Sequence, residues 1–151
     1  MRETDRALPI ALLRAREATL RPFRAHLDRH GVTVQQWRVI RALAEGGPMT
    51  ASELAERCVL MPPSLSRILK TLSDRGLIAR IADDDARRKR MELTPEGRAL
   101  FDRMSVTSEE IYGRIEAAFG PDRMEELLDL LIDLRRAVED GEGVDDPDAS
   151  A

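Results

Sequence analysis

The order of local signals between residues 48 and 97 constrains the fold of this chain more than any other feature of its sequence. Thr50 and Glu53 have the spacing of a capping box, in which each side chain pairs with the backbone amide of the other at the start of a helix. We therefore predict a short helix over about 51–57. Shortly after it, Pro62-Pro63 predicts the start of a second helix, because proline fits the first helical turn but not the interior.

The second predicted helix, about 62–75, has two chemically different faces. Its apolar residues recur at helical spacing and predict a buried face of Leu65, Ile68, Leu69 and Leu72. The opposite face is polar and contains Ser64, Ser66, Arg67, Lys70, Thr71 and Asp74. Gly76 then ends the helix, as glycine commonly does.

Beyond Gly76 the pattern changes from helical spacing to the alternation that is typical of strands. The residues that share one face are Leu77, Ala79 and Ile81 in the first alternating segment, and Lys89, Met91 and Leu93 in the second. A polar turn separates the segments, so we predict a hairpin, followed by a helix that starts at Thr94-Pro95. This order of elements is typical of a winged helix-turn-helix, which places its second helix in the major groove of DNA. The predicted fold class is mainly α with a small β-hairpin wing (α+β).

Further helices are predicted on both sides of the winged part. The first, about 8–30, contains Pro22, which should kink it. The next begins at a second capping box, Thr33 to Gln36, and the helix that starts at Thr94-Pro95 is followed by a last helix at about 122–139. Their apolar stripes lie outside the winged core, so pairing of two chains would bury them.

We therefore expect one domain over residues 1–139, with the winged helix-turn-helix at about 48–97 and dimerisation helices at about 8–30 and 98–139. Residues 140–151 are acidic and almost free of large apolar side chains, so we expect a disordered tail.

The net charge of −4 hides a basic middle segment. Residues 57–90 contain nine Lys and Arg against four Asp, whereas residues 139–151 contain six acids and no base. Because local charge attracts a phosphate backbone, the composition is compatible with binding to double-stranded DNA.

Several classes of function are disfavoured by composition. One Cys and two His are too few for a disulfide framework or for most metal sites, so we expect no metal and no cofactor. The 3% aromatic content disfavours a stacking platform for single-stranded nucleic acid. We find no apolar run long enough to span a membrane and no signal peptide, so we expect a cytoplasmic protein.

Two motifs at the wing, Asp85-Ala-Arg87 and Leu93-Thr-Pro-Glu-Gly97, resemble the wing motif of the multiple-antibiotic-resistance regulator (MarR) family. Ile10–Ala18, Gln35–Arg38 and Pro63–Leu65 resemble the branch of that family that regulates homoprotocatechuate (4-hydroxyphenylacetate) degradation operons. The resemblance implies an obligate homodimer that binds a palindromic operator as a repressor and leaves it when a small aromatic carboxylate binds. Pro22 and three consecutive Asp in the wing loop depart from the family pattern.

The candidate DNA-binding residues lie on the second helix and on the wing: Pro63, Ser64, Ser66, Arg67, Lys70, Thr71, Arg87 and Arg88. For the residues on the helix, the alternative is a solvated face without a role, and for Lys70 and Thr71 the two interpretations are even. Arg87 is alternatively a salt-bridge partner of Asp85, which would shape the wing.

The candidate effector-binding residues are Arg16, Arg14, Trp37 and His26. An arginine fork suits a ligand carboxylate, although a pair to Glu17 or an interface salt bridge is the favoured interpretation for either arginine alone. Trp37 is alternatively a core residue, and His26 an ordinary surface histidine.

Three other functions compete with a ligand-responsive repressor. Cys58 could make the chain a redox-sensing repressor, but a buried structural thiol is favoured because no second Cys can resolve a sulfenic acid. An enzyme acting on aromatic acids lacks a recognisable nucleophile and base pair or a phosphate loop. A non-specific architectural DNA binder would not need the polar helix face.

Overall fold

The computed structural model describes residues 3–82 and 89–140. In those ranges the helices are a short 3-10 turn at Thr4–Arg6 and the α-helices α1 (Leu8–Arg29), α2 (Val34–Gly46), α3 (Ala51–Cys58), α4 (Pro62–Asp74), α5 (Pro95–Phe119) and α6 (Pro121–Glu139). The strands are β1 (Met49–Thr50), β2 (Ile78–Ala82) and β3 (Lys89–Leu93). The predicted fold class, mainly α with a small β wing, is confirmed.

Both predicted capping boxes are present. At the start of α2 the Gln36 amide donates to Thr33 Oγ1 at 3.1 Å, and the Thr33 amide donates to Gln36 Oε1 at 3.0 Å. At the start of α3 the same exchange joins Thr50 and Glu53, with distances of 3.2 and 2.7 Å. Two helix starts are thus fixed by side chains within three residues of each other, which is why they could be located from the sequence.

Contacts divide the chain into two compact units after Ile111. The core of the first unit is apolar and takes residues from every α-helix of that unit: Phe23, Leu27, Val39, Ile40, Leu43, Leu54, Leu65, Leu72, Leu100 and Met104. The buried face of α4 agrees with the prediction at Leu65 and Leu72, while Ile68 and Leu69 are half-buried. The core therefore holds α4 by one face and leaves its polar face outward.

The sheet has three antiparallel strands in the order β1-β3-β2. The short strand β1 was not predicted, and it pairs Met49 with Met91. The predicted alternation grouped Leu77, Ala79 and Ile81 on one face; Leu77 and the neighbouring Ile78 are buried, whereas Ala79 and Ile81 are half-buried. Ile78 pairs with Leu93 in the register, so the face that Ile78 shares with Met91 covers the core.

The base of the wing is joined closely to the start of α5. The Thr94 hydroxyl donates to the Gly76 carbonyl at 2.6 Å and accepts from the Gly97 amide at 3.1 Å. A Cβ on Gly97 would lie 2.0 Å from the Leu77 carbonyl oxygen, so only glycine fits there. The Leu-Thr-Pro-Glu-Gly motif thus anchors the second strand of the wing to the helix that follows.

The predicted flanking helices are present, with α1 continuous through Pro22. Large apolar residues of the first unit remain exposed, including Leu12 and Leu13 on α1. The second unit contains α6, which has no buried residue. Its exposed apolar residues are Leu127, Leu128, Leu130, Leu131, Ile132 and Val138. The acidic tail that was predicted to be disordered lies, from residue 141 on, outside the described residues.

Candidate nucleic-acid interface and effector site

Helix α4 is positioned by the turn that precedes it. The Leu60 amide donates to the Ala55 carbonyl at 2.9 Å, which closes the end of α3, and Val59 adopts a left-handed conformation in the turn. Leu65 and Leu72 are buried beneath α4. Its predicted DNA-binding residues are therefore on the outer side: Pro63, Ser66, Arg67, Lys70 and Thr71 are exposed, and Ser64 is half-buried.

The two cations on this face differ in their neighbours. Lys70 Nζ donates to Asp74 at 2.7 Å, in an exposed ion pair of the kind that contributes little to stability. Within the described ranges, the Arg67 guanidinium forms no ion pair and no hydrogen bond, while the Arg67 carbonyl accepts from the Thr71 hydroxyl at 3.0 Å. All the guanidinium donors are therefore without a partner among the described residues.

An open groove of about 290 Å³ separates α4 from the beginning of α2. It is lined by Thr33, Gln35, Gln36, Ser64, Arg67, Ile68 and Thr71. Gln35 is exposed beside Arg67 and was not among the predicted site residues. Its polar neighbours come from another helix, so the sequence carried no local signal for this juxtaposition.

The predicted wing residues Asp85, Arg87 and Arg88 lie outside the described residues. The described part of the wing ends with Ala82 on one strand and begins again with Lys89 on the other, and these two residues are paired in the register. The wing contacts predicted from the sequence therefore remain predictions.

The two predicted effector arginines are exposed and already paired with acids. Arg14 forms an ion pair with Asp5 near the amino terminus. Arg16 donates to Glu17 at 3.1 Å, which is the simple salt bridge weighed above, and Glu17 also accepts from Arg24. Arg14 and Arg16 lie in the first half of α1, whereas Trp37 and His26 each contact a residue of α5.

Trp37 is a core residue with one unsatisfied polar atom. It is 7% exposed, and its ring stacks on Phe101 of α5 with 5.6 Å between the ring centroids. Its Nε1–H is buried and has no hydrogen-bond partner in the described part of the chain. The hydroxyl of Ser108, a residue of α5, is likewise buried and has no hydrogen-bond partner among the described residues. A buried donor without an acceptor is costly, so this region can gain free energy from a polar ligand atom.

His26 is buried, in contrast to the surface position considered for it. Its Nε2–H donates to the Met104 carbonyl at 3.0 Å, which links α1 to α5. The His30 ring lies edge-on, 5.2 Å away. Burial, and then the electrostatic interactions with His26, Arg103 and Arg29, lower the pKa of His30. The geometry gives His26 a structural hydrogen bond and does not bring it together with Arg14 or Arg16.

Cys58 is buried at the end of α3, as the structural interpretation predicts. Burial raises the pKa of its thiol, and the nearby Arg38 and Arg57 offset only part of that effect. Arg38 itself donates to the Cys58 carbonyl at 2.7 Å. A buried, protonated thiol is a poor sensor of oxidants, so the geometry disfavours the redox-sensing alternative.

Residues 3–82 and 89–140 contain no cluster of His, Cys, Asp or Glu that could hold a metal ion. No helix in these ranges is both long and apolar enough to cross a membrane.

Comparisons with known proteins agree with this geometry. The MarR family model matches residues 30–89. The homoprotocatechuate degradative operon repressor of Escherichia coli is 43% identical over 126 residues, which cover 83% of this chain and 85% of that protein. The HTH-type transcriptional regulator FarR of Neisseria gonorrhoeae is 38% identical over 131 residues, covering 86% and 90%.

A solved structure of NadR in complex with 4-hydroxyphenylacetate superposes with a TM-score of 0.79 at 36% identity and covers 89% of this chain and 98% of that one. These relatives are regulators, which removes the enzyme hypothesis and confirms the resemblance seen in the wing and first-helix motifs. The outward polar face of α4, the three-stranded wing and these similarities establish that the chain belongs to the MarR family of DNA-binding transcriptional regulators.

Proposed function

We propose that the chain is a cytoplasmic, homodimeric repressor of an operon for aromatic-acid degradation. It binds a palindromic operator, and a small aromatic carboxylate, 4-hydroxyphenylacetate or homoprotocatechuate, releases it. The single observation that carries the effector part of this proposal is the buried Nε1–H of Trp37, which has no hydrogen-bond partner among residues 3–82 and 89–140.

The DNA-binding part of the proposal is supported by the two faces of α4. Burial of Leu65 and Leu72 leaves Ser66 and Arg67 exposed near the amino end of the helix, which is the end that reaches base edges in helix-turn-helix proteins. Arg67 is assigned to a guanine edge, since a free guanidinium can donate two parallel hydrogen bonds to it. Pro63, Ser64, Lys70 and Thr71 are assigned to neighbouring backbone or base contacts, and Arg87 and Arg88 to the wing contact.

The effector part is supported by the surroundings of Trp37. The stacked rings of Trp37 and Phe101 offer an apolar wall for an aromatic ligand. A carboxylate or phenolic oxygen would accept the Nε1 hydrogen bond that no described residue accepts. An apolar wall with few placed polar groups is the usual composition of a small-molecule site. The related NadR structure contains such a ligand, 4-hydroxyphenylacetate.

Arg16, with Arg14 second, is proposed to pair with the carboxylate of the effector. Both side chains are exposed and held only by surface acids, so exchanging Glu17 for a ligand carboxylate costs Arg16 little free energy. His26 is proposed to act on the ligand only by holding α1 against α5 through its hydrogen bond to Met104.

The dimer is supported by unburied apolar surface. Leu12 and Leu13 on α1 are exposed, and α6 exposes six large apolar side chains. Regulators of this family dimerise, and a second chain would remove that surface from water.

The switch is proposed to be a shift between two spacings of the recognition helices. A palindromic site requires the two α4 helices to lie about 34 Å apart, one turn of DNA. Arg75, the residue after α4, donates to the Gly31 carbonyl after α1 at 2.7 Å, so a displacement of α1 is passed to α4. A hundredfold weakening of DNA binding requires about 2.7 kcal/mol of coupling between ligand and DNA.

Titration calorimetry of the full chain with 4-hydroxyphenylacetate and homoprotocatechuate tests the effector site. Trp37→Phe keeps the ring stack but removes the N–H, so we expect about tenfold weaker binding, which corresponds to one hydrogen bond to a charged group. Arg16→Ala should weaken it as well, whereas the control Arg24→Ala removes another partner of Glu17 and should not. Absence of heat with the wild type would exclude this ligand class. Wild-type affinity in a single variant would exclude only that residue.

A further inference from the structure

The turn between α3 and α4 holds two apolar side chains in solvent. Val59 is 82% exposed and Met61 is 73% exposed, which makes them the two most exposed large apolar residues of the described chain. Leu60, between them, is half-buried. Packing in the core therefore does not explain why positions 59 and 61 carry large apolar side chains.

Val59 is also in an unfavourable backbone conformation. Its φ of 51° and ψ of 57° lie in the left-handed region, and it is the one residue other than glycine with positive φ in the described ranges. A β-branched side chain is disfavoured there, while glycine ends many helices in this conformation without penalty. The chain thus has a valine at a position where glycine would stabilise the turn, and the valine side chain is largely in solvent.

Met61 occupies a second position where the residue type is unfavourable for stability. It is the N-cap of α4 and makes no side-chain capping hydrogen bond. The N-caps of α2 and α3 are Thr33 and Thr50, both of which do. Serine, threonine, aspartate or asparagine at this position would satisfy a free amide of α4. Two costly choices in one exposed turn indicate a function for the apolar surface itself.

We propose that Val59 and Met61 contact the 5-methyl groups of thymines in the operator half-site, next to the bases that α4 reads. This inference rests on the proposed operator binding. Met61 directly precedes Pro62, the first residue of α4, so the pair is continuous with the end of the helix assigned to base edges. The thymine methyl is the apolar group that the major groove presents, and it matches these side chains in chemistry. Two side chains are too small a surface for a stable protein partner.

Thymine-to-deoxyuridine substitution tests the contact, because it removes the methyl group and keeps every hydrogen-bonding group. An operator duplex is first selected from randomised DNA with the full-length wild-type protein, and each thymine is then replaced singly. We expect about a fourfold loss of wild-type affinity at one or more positions in each half-site, the value of one buried methyl group. Val59→Ala and Met61→Ala should bind the thymine duplex more weakly and lose discrimination at those positions. Met61→Leu, which keeps an apolar side chain, should retain it.

The control variant is Val106→Ala, which truncates another exposed valine, 63% exposed on α5, and should keep the wild-type response to deoxyuridine. Equal affinity of the wild type for the thymine and deoxyuridine duplexes overturns the contact but not the proposed function. An unchanged deoxyuridine effect in both alanine variants also overturns it, since the methyl is then sensed elsewhere. A smaller sedimenting mass for Met61→Ala shows that the turn binds a second copy and overturns it too. A selection that recovers no sequence overturns the proposed function, and this contact with it.

Discussion

Arg67 and Lys70 lie one turn apart on the same face of α4, yet they should contribute differently to DNA recognition. Arg67→Ala should lose sequence-specific binding by about 1–3 kcal/mol, because a bidentate contact to a guanine edge is lost. Lys70, a point charge shared with Asp74, should weaken specific and random DNA alike when it is replaced by Ala, and so serves as the matched control. Competition binding with operator DNA and random DNA measures the ratio of specific to non-specific affinity. Equal losses for Arg67→Ala on the two DNAs would show that it contacts phosphate only.

Cys58 should be chemically silent in the folded protein. Its thiol is buried and its pKa is raised, mainly by burial, so little thiolate is present at neutral pH. Alkylation by iodoacetamide should be slow in buffer and fast in urea. Rapid reaction of the native protein, with loss of DNA binding, would restore the redox-sensing alternative.

The raised pKa of Cys58 makes the stability of the folded protein depend on pH. Because the folded state holds the thiol proton more tightly than the unfolded chain, the stabilising contribution is complete below the unfolded pKa and is lost as the pH rises through the raised value. Urea denaturation of the wild type and Cys58→Ala at neutral and alkaline pH should show a loss of stability at alkaline pH that is smaller in the variant.

At the scale of the elements, local chemistry determined what could be predicted from the sequence. The capping boxes at Thr33 and Thr50 and the proline pair before α4 lie within a few residues of the helix starts they fix, and the structure has helices at each. Strand β1 has two residues and exists only by pairing with β3, far along the chain, so no alternation could reveal it. Burial at β2 likewise depends on tertiary packing, because the adjacent residues Leu77 and Ile78 are both buried and alternation alone does not reveal this.

The wing is the element whose role is least determined by its composition, since Arg87 and Arg88 follow three acids. Replacing both arginines by Ala should weaken operator binding and flatten its salt dependence, because each phosphate contact contributes about 0.9 to the logarithmic slope. Affinity measured between low and moderate salt gives that slope. Wild-type slope and affinity in the double variant would mean that the wing does not engage DNA.

For the whole molecule, the acidic tail should matter to charge and not to folding. Deleting residues 141–151 removes a segment with almost no large apolar side chains, so the melting temperature and the sedimenting mass should not change. Affinity for DNA should rise at low salt and less at high salt, because like charge near the duplex is removed. Dissociation or unfolding of the shortened chain would show that the tail is part of the folded structure.

The whole-molecule contacts explain why the candidate sites were predicted unevenly. The α4 face follows from one helix and its period, so its residues could be chosen from the sequence. Trp37 stacks on Phe101, more than sixty residues away, and its Nε1–H has no partner among the described residues. The buried His26 bonds to Met104, which is 78 residues away. Sequence spacing cannot determine which polar atoms tertiary packing leaves unsatisfied.

The stacked position of Trp37 has a practical consequence. It is the single tryptophan of the chain, and its indole lies against Phe101 in a buried environment. All intrinsic tryptophan fluorescence of the protein therefore originates at the proposed effector site, and none comes from α4 or the wing. A ligand that accepts the Nε1 hydrogen bond changes the polarity around this one emitter, so its emission spectrum reports occupancy directly. Effector occupancy can thus be followed without labelling the protein, and a separate signal placed on the operator DNA can report its release.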